Sequence, residues 1–359
     1  MLHFLRTLFG GKSGRPISGD VEPTAQQGLL PPAVISADGL PDLHLSQHLS
    51  LHEGFPAMKW AEVESWLSDT ESPAAQAHAW EAAEKAWLLH FRQALGPAFQ
   101  LREAESAMLL SSLDDGVARA TLHYMVRTLA RVAATLDGLA QIPSWGKDIL
   151  IVFDDAESYY RYVSHYYPDQ GEFAFSSGMY INDGCAHFVT VKADLSAIEP
   201  VIAHEMTHSC LAHLPLPLWL NEGLAVNTEL RITGGSGSYP GTHELRRKHL
   251  GFWGPQEIQE FWSGESFKRT DDGNMLSYDL ARLIVSHFAS DWEAFKRFVL
   301  DADASDAGAA SARENLHIDL GALACALLEK EPSPPWGPQP QNWEQPSVPP
   351  TQRDTVRTG

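Results

Sequence analysis

Five residues in the middle of the chain, His204-Glu205-Met206-Thr207-His208, have the types and spacing of a unit that holds a metal and moves a proton. On a helix the two histidines lie one turn apart on one face, with the glutamate beside them. Two imidazoles so placed can bind zinc, and the carboxylate can serve as general base. Spacing alone is a moderate signal. With 16 histidines in 359 residues, such a match arises by chance in about one sequence in twenty. The neighbouring residues must carry the rest.

They favour a buried helix. Ser196-Ala197-Ile198-Glu199 has the form of a capping box, which starts a helix just upstream. Alternatively Pro200 opens it at the first helical position, where a missing N–H costs nothing. Ile198, Val201, Ile202, Met206, Cys210 and Leu211 make the helix apolar on most sides. Histidines and a glutamate on a buried helix need partners, and zinc is one.

Two residues compete to be the third ligand. His213 follows His208 by five residues, where the pattern HExxHxxGxxH requires six, and Leu211 stands where that pattern has glycine. Glu222, in Trp219-Leu220-Asn221-Glu222-Gly223-Leu224-Ala225, fits better. Pro215 and Pro217 break the chain, and Pro217 can open a second helix that packs back on the first. Gly223 beside it is expected to let the backbones of these two helices approach closely. Two histidines and a glutamate leave zinc an open position, the catalytic rather than the structural pattern.

HEMTH followed by WLNEGLA resembles the gluzincin metallopeptidases, in particular the peptidase-MA-like domains, over residues 145–300. The resemblance implies zinc held by His204, His208 and Glu222, with Glu205 as general base. It also implies a small sheet packed on the two zinc helices, and peptide-bond hydrolysis. In relatives a tyrosine on a later helix steadies the oxyanion, and its match is Tyr278 in Met275-Leu276-Ser277-Tyr278-Asp279-Leu280-Ala281. Where relatives carry an acidic residue soon after GLA, this chain has Val226-Asn227. That leaves Asn227 or Glu229 to orient a ligand histidine.

The strands and helices readable in the chain, with the fold that the resemblance implies, point to an α+β chain. The expected core is a zincin-like domain over residues 143–330: a small mixed sheet over two zinc-binding helices, then a helical C-terminal part. Asp148–Phe153 reads as a buried strand and Ala156–Tyr166 as a short helix. Phe173–Ile181 and Ala186–Lys192 read as strands joined by the turn Asn182-Asp183-Gly184. The exposed edge near Gly178-Met179-Tyr180 is expected to align an extended peptide. Two or three helices fill residues 243–329, and Gly234–Ser238 reads as a loop near the site. Before this domain, residues 57–142 read as helical, with segments at Trp60–Leu67, Pro73–Ala94, Leu101–Leu110 and Asp114–Leu136. Residues 1–56 are expected to be a tail or linker with short ordered pieces, and residues 331–359 a disordered proline-rich tail.

Composition narrows the partners. A net charge of −20 disfavours nucleic acid, whose phosphates need clustered lysine and arginine. Three scattered cysteines form neither a disulfide framework nor a cysteine zinc motif. No apolar run is long enough to cross a membrane, and Met1–Gly11 lacks a secretory pattern, so a cytoplasmic location is expected. The function expected is a zinc peptidase acting on a peptide or protein substrate. The rival is a catalytically inactive zinc-binding scaffold, which needs ligands but no base; Glu205 favours the enzyme.

Overall fold

The structure is a computed structural model that describes residues 24–25, 30–143, 145–166, 178–235 and 242–343. Its centre is a six-stranded mixed sheet in the order β1-β6-β7-β8-β10-β9. These strands are β1 (Thr24–Ala25), β6 (Gln100–Glu103), β7 (Ala107–Ser111), β8 (Asp148–Phe153), β9 (Gly178–Ile181) and β10 (His187–Val191). β7, β8 and β10 run parallel, and the outer pairings β1/β6, β6/β7 and β9/β10 are antiparallel. Two small pairs, β2 (Val34–Ile35) with β3 (Leu43–His44) and β4 (Leu49–His52) with β5 (Phe55–Met58), lie between β1 and β6 in the chain. The chain is therefore α+β.

Burial on both faces explains the unbroken apolar run of β8. Leu150 and Val152 face one core, and Ile149, Ile151 and Phe153 face the other. The first core holds α3 (Asp115–Thr135), α5 (Leu195–Leu211), α6 (Leu218–Thr233) and most of the C-terminal part. The second holds α1 (Trp60–Leu67), α2 (Pro73–Leu95) and α4 (Ala156–Val163). No described helix is long and apolar enough to cross a membrane.

Three expectations need correction. Residues 101–110 form β6 and β7 rather than a helix. Their Leu, Glu and Ala content favours helix locally, but all of β7 is buried in the middle of the sheet, and packing overrides that weak preference. The sheet consequently crosses the boundary expected at residue 143. The short ordered pieces expected before residue 56 are present, and Ile35, Leu43, Leu45 and Phe55 are buried in the second core. Strands of two to four residues are too short to leave a periodic signal. Lastly, residues 331–343 pack rather than trail: Trp336 is buried, and its carbonyl accepts a 2.9 Å hydrogen bond from Trp262 Nε1. The rest of that expected tail, 344–359, lies outside the described residues, as do 167–177, with the first part of the strand expected at Phe173–Ile181, and 236–241, with part of the loop expected at Gly234–Ser238.

The second core contains a buried histidine with a defined protonation state. His187 Nδ1 lies 2.7 Å from the carbonyl of Cys185, which can only accept, so Nδ1 carries the proton. Nε2 therefore accepts from the Tyr162 hydroxyl at 2.8 Å, and Tyr166 lies 3.2 Å behind it. Burial pushes the imidazole down to about 4. In the unfolded chain it titrates near ~6.5, so between about pH 6.5 and 4 the unfolded state binds a proton that the folded state refuses. Stability from this residue is complete above that window and declines as pH falls through it, by about 3 kcal/mol. Urea unfolding at pH 7.5 and 4.5 should show a smaller pH difference in His187→Gln than in the wild type. Equal differences would refute the neutral-histidine account.

Candidate metal centre

α5 supplies His204, Glu205 and His208, and α6 supplies Glu222. α5 begins at Leu195, after Asp194, so neither expected start holds. Ser196 lies inside the helix, and Pro200 sits at its sixth position, where the missing N–H leaves the Ser196 carbonyl without its helical donor. Pro217 stands just before α6, as its sequence position suggested. Gly178 of β9 faces α5 so closely that a side chain there would strike Val201. This contact seats the metal helix against the sheet edge.

One ligand atom each from His204, His208 and Glu222 lies within 4.8 Å of the others, the one such group of three among the described residues. Glu222 Oε2 is 3.2 Å from His204 Nε2 and 3.5 Å from His208 Nε2. On the far side of the His204 ring, Nδ1 donates to Glu229 Oε2 at 3.2 Å. This bond orients the ring so that Nε2 faces Glu222. Asn227, the other candidate for this role, instead donates to the backbone carbonyls of Gly223 and Arg282 at 2.7 and 3.0 Å. His213 is not in the cluster; its ring engages the backbone of Cys210.

Electrostatics at this point call for positive charge. Burial opposes ionisation of His204, yet hydrogen bonds to Glu222 and Glu229 outweigh it and hold the imidazole well above its usual range. Burial likewise opposes the charge on Glu222, and the two histidines outweigh it, keeping the carboxyl below its usual range. Three carboxylates, Glu205, Glu222 and Glu229, thus crowd two imidazoles in a shielded pocket. A divalent cation is the charge that such a donor set accommodates, and two imidazole nitrogens with one carboxylate suit zinc. Nδ1 of His208 is buried there without a hydrogen-bond partner among the described residues.

Glu205 stands next to the ligands and is 8% exposed. Burial raises its carboxyl, against a lowering from His204 and His208 and from the backbone N–H of Tyr180 in β9. The candidate base is thereby tied to the sheet edge.

Tyr278 comes from α9 (Asp272–Phe288), where α7 (Thr242–Phe252) and α8 (Pro255–Ser263) are the intervening helices. Its ring centroid is 6.4 Å from that of His204 and 5.2 Å from that of Phe267. Burial pushes its phenol up, with Glu222 and Glu205 adding to the effect. α9 reaches the site because Gly223 allows it. A Cβ at Gly223 would lie 2.7 Å from the Ala281 carbonyl oxygen and 2.6 Å from Val285. All five expected site residues therefore gather in one place. The chain matches no family model, and comparison with curated proteins and with solved structures finds no match either.

Proposed function

We propose that the chain is a zinc-dependent peptidase with a zincin-like catalytic domain. The observation that carries this reading is the convergence of His204, His208 and Glu222 on one point, with Glu205 beside them and outside the ligand group. A domain kept only to bind metal has no use for that fourth side chain. His204, His208 and Glu222 hold the ion, which when bound supplies Lewis acidity at the scissile carbonyl and an acidified water.

The chain's own residues do the rest. Glu205 takes the proton of the attacking water and returns it to the leaving amine. Tyr278 directs its hydroxyl toward the carbonyl oxygen as charge develops there. β9, the last strand of the sheet, offers its outer edge to an extended peptide, and Tyr180 links that edge to Glu205. A peptide or protein met in the cytoplasm is the substrate proposed. Stoichiometric zinc in the purified chain, with cleavage in a peptide library, supports this reading; no stoichiometric zinc overturns it.

Glu229 is assigned a supporting role, orienting His204. Glu229→Ala should weaken zinc binding about 10- to 100-fold in chelator competition while the chain stays folded. Unchanged affinity would remove Glu229 from the site.

A further inference from the structure

A second buried polar cluster lies one residue from Tyr278 and takes no part in the chemistry above. Asp279 is 2% exposed and His249 of α7 is 5% exposed. Asp279 Oδ2 is 2.9 Å from His249 Nε2, and Oδ1 accepts from Nε and Nη2 of Arg282 at 2.9 and 2.7 Å. On the other side of the imidazole, the indole N–H of Trp253 donates to Nδ1 at 2.8 Å. An indole nitrogen can only donate, so Nδ1 is unprotonated, His249 is neutral, and Nε2 carries the hydrogen given to Asp279. Every member of the chain Trp253, His249, Asp279, Arg282 thus has a defined direction.

The opposite flank of Tyr278 is pinned as well. Ser277, fully buried, lies 2.6 Å from Ser266 Oγ and from the Gly273 carbonyl. Residues 277 and 279 leave the helix about 100° to either side of residue 278. The bonds that leave the helix, Asp279 to His249 and Ser277 to Ser266, therefore set the rotation of α9 about its own axis. A phenolic oxygen lies roughly 9 Å from the axis of its helix, so each ten degrees of rotation moves it by about 1.5 Å. Displacement on that scale is enough to cost a positioned donor most of its effect. Packing alone does not demand this arrangement, since apolar residues of similar volume fill buried sites at least as well as an ionic cluster.

We propose that His249 is a positioning residue for Tyr278, acting through Asp279 to fix the rotation of α9. The proposal rests on the reading of Tyr278 as the phenol beside the reacting carbonyl, but its test does not depend on activity alone. His249→Leu breaks the chain, and His249→Gln keeps both an acceptor and a donor. In protein labelled with fluorotyrosine, the Tyr278 resonance is identified by its loss in Tyr278→Phe. His249→Leu should shift or split that resonance, and His249→Gln should restore it.

In peptide cleavage, His249→Leu should lower kcat about tenfold with little change in KM, and should have no further effect in a Tyr278→Phe background. If His249→Leu fails to fold, Trp253→Phe removes only the indole donor and should shift the same resonance. An unmoved Tyr278 resonance overturns the proposal, as does an equal loss of kcat with and without Tyr278. Absence of cleavage by the wild type would instead overturn the peptidase reading, leaving the resonance shift to decide the positioning role.

Discussion

Glu205→Gln should retain zinc and lose peptide cleavage by about 10²- to 10⁴-fold in kcat/KM, the range for removing a positioned general base. That loss corresponds to about 3–5 kcal/mol of barrier. Glutamine has the volume of glutamate, so α5 keeps its seat against β9, and the amide still accepts the Tyr180 N–H. What disappears is a site for a proton. Zinc content measured beside the kinetics separates the outcomes. Metal retained with cleavage lost assigns the base. Metal lost together with cleavage would make Glu205 a ligand and overturn its assigned role. A variant as active as the wild type would move the base elsewhere. A wild type that holds zinc and cleaves nothing would leave the scaffold reading standing.

The sequence disclosed this site more fully than the fold around it, for a physical reason. Ligand chemistry needs specific side chains at specific helical offsets, so His204, Glu205 and His208 are visible within five residues. Glu222 could be inferred because Pro217 restarts a helix, but Gly223, expected to bring α5 and α6 together, instead meets Ala281 and Val285 of α9. The choice between Asn227 and Glu229 has a signal in the spacing. Seven residues separate Glu229 from Glu222, two helical turns that put both on one face, whereas Asn227 turns toward α9 and binds the Arg282 carbonyl.

The sheet was legible at β8, a long apolar run, and at β9 and β10, which flank the turn Asn182-Asp183-Gly184, but β6 and β7 are written in helix-favouring residues and became strands because β8 offered an edge to pair with. The clamp on Tyr278 left no sequence signal, because His249 and Asp279 are thirty residues apart and meet only when α7 packs on α9.

Glu222→Ala should weaken zinc binding by more than about a hundredfold, beyond the range expected for Glu229→Ala, because a ligand is lost rather than a ligand's support. The geometry explains the difference. Glu222 Oε2 faces both histidines, at 3.2 and 3.5 Å, whereas Glu229 touches only the far nitrogen of His204. Without Glu222 the two imidazoles keep ring centroids 4.9 Å apart with no shared carboxylate, and two ligands hold zinc poorly. Binding that is restricted to the folded state stabilises it by about 4 kcal/mol at a thousandfold excess over Kd. Added zinc should therefore raise the Tm of the wild type clearly, raise that of Glu229→Ala less at the same concentration, and leave Glu222→Ala nearly unmoved. If Glu222→Ala bound zinc as the wild type does, α6 would not be half of the metal centre. If Glu229→Ala lost as much as Glu222→Ala, the two carboxylates would have to exchange roles.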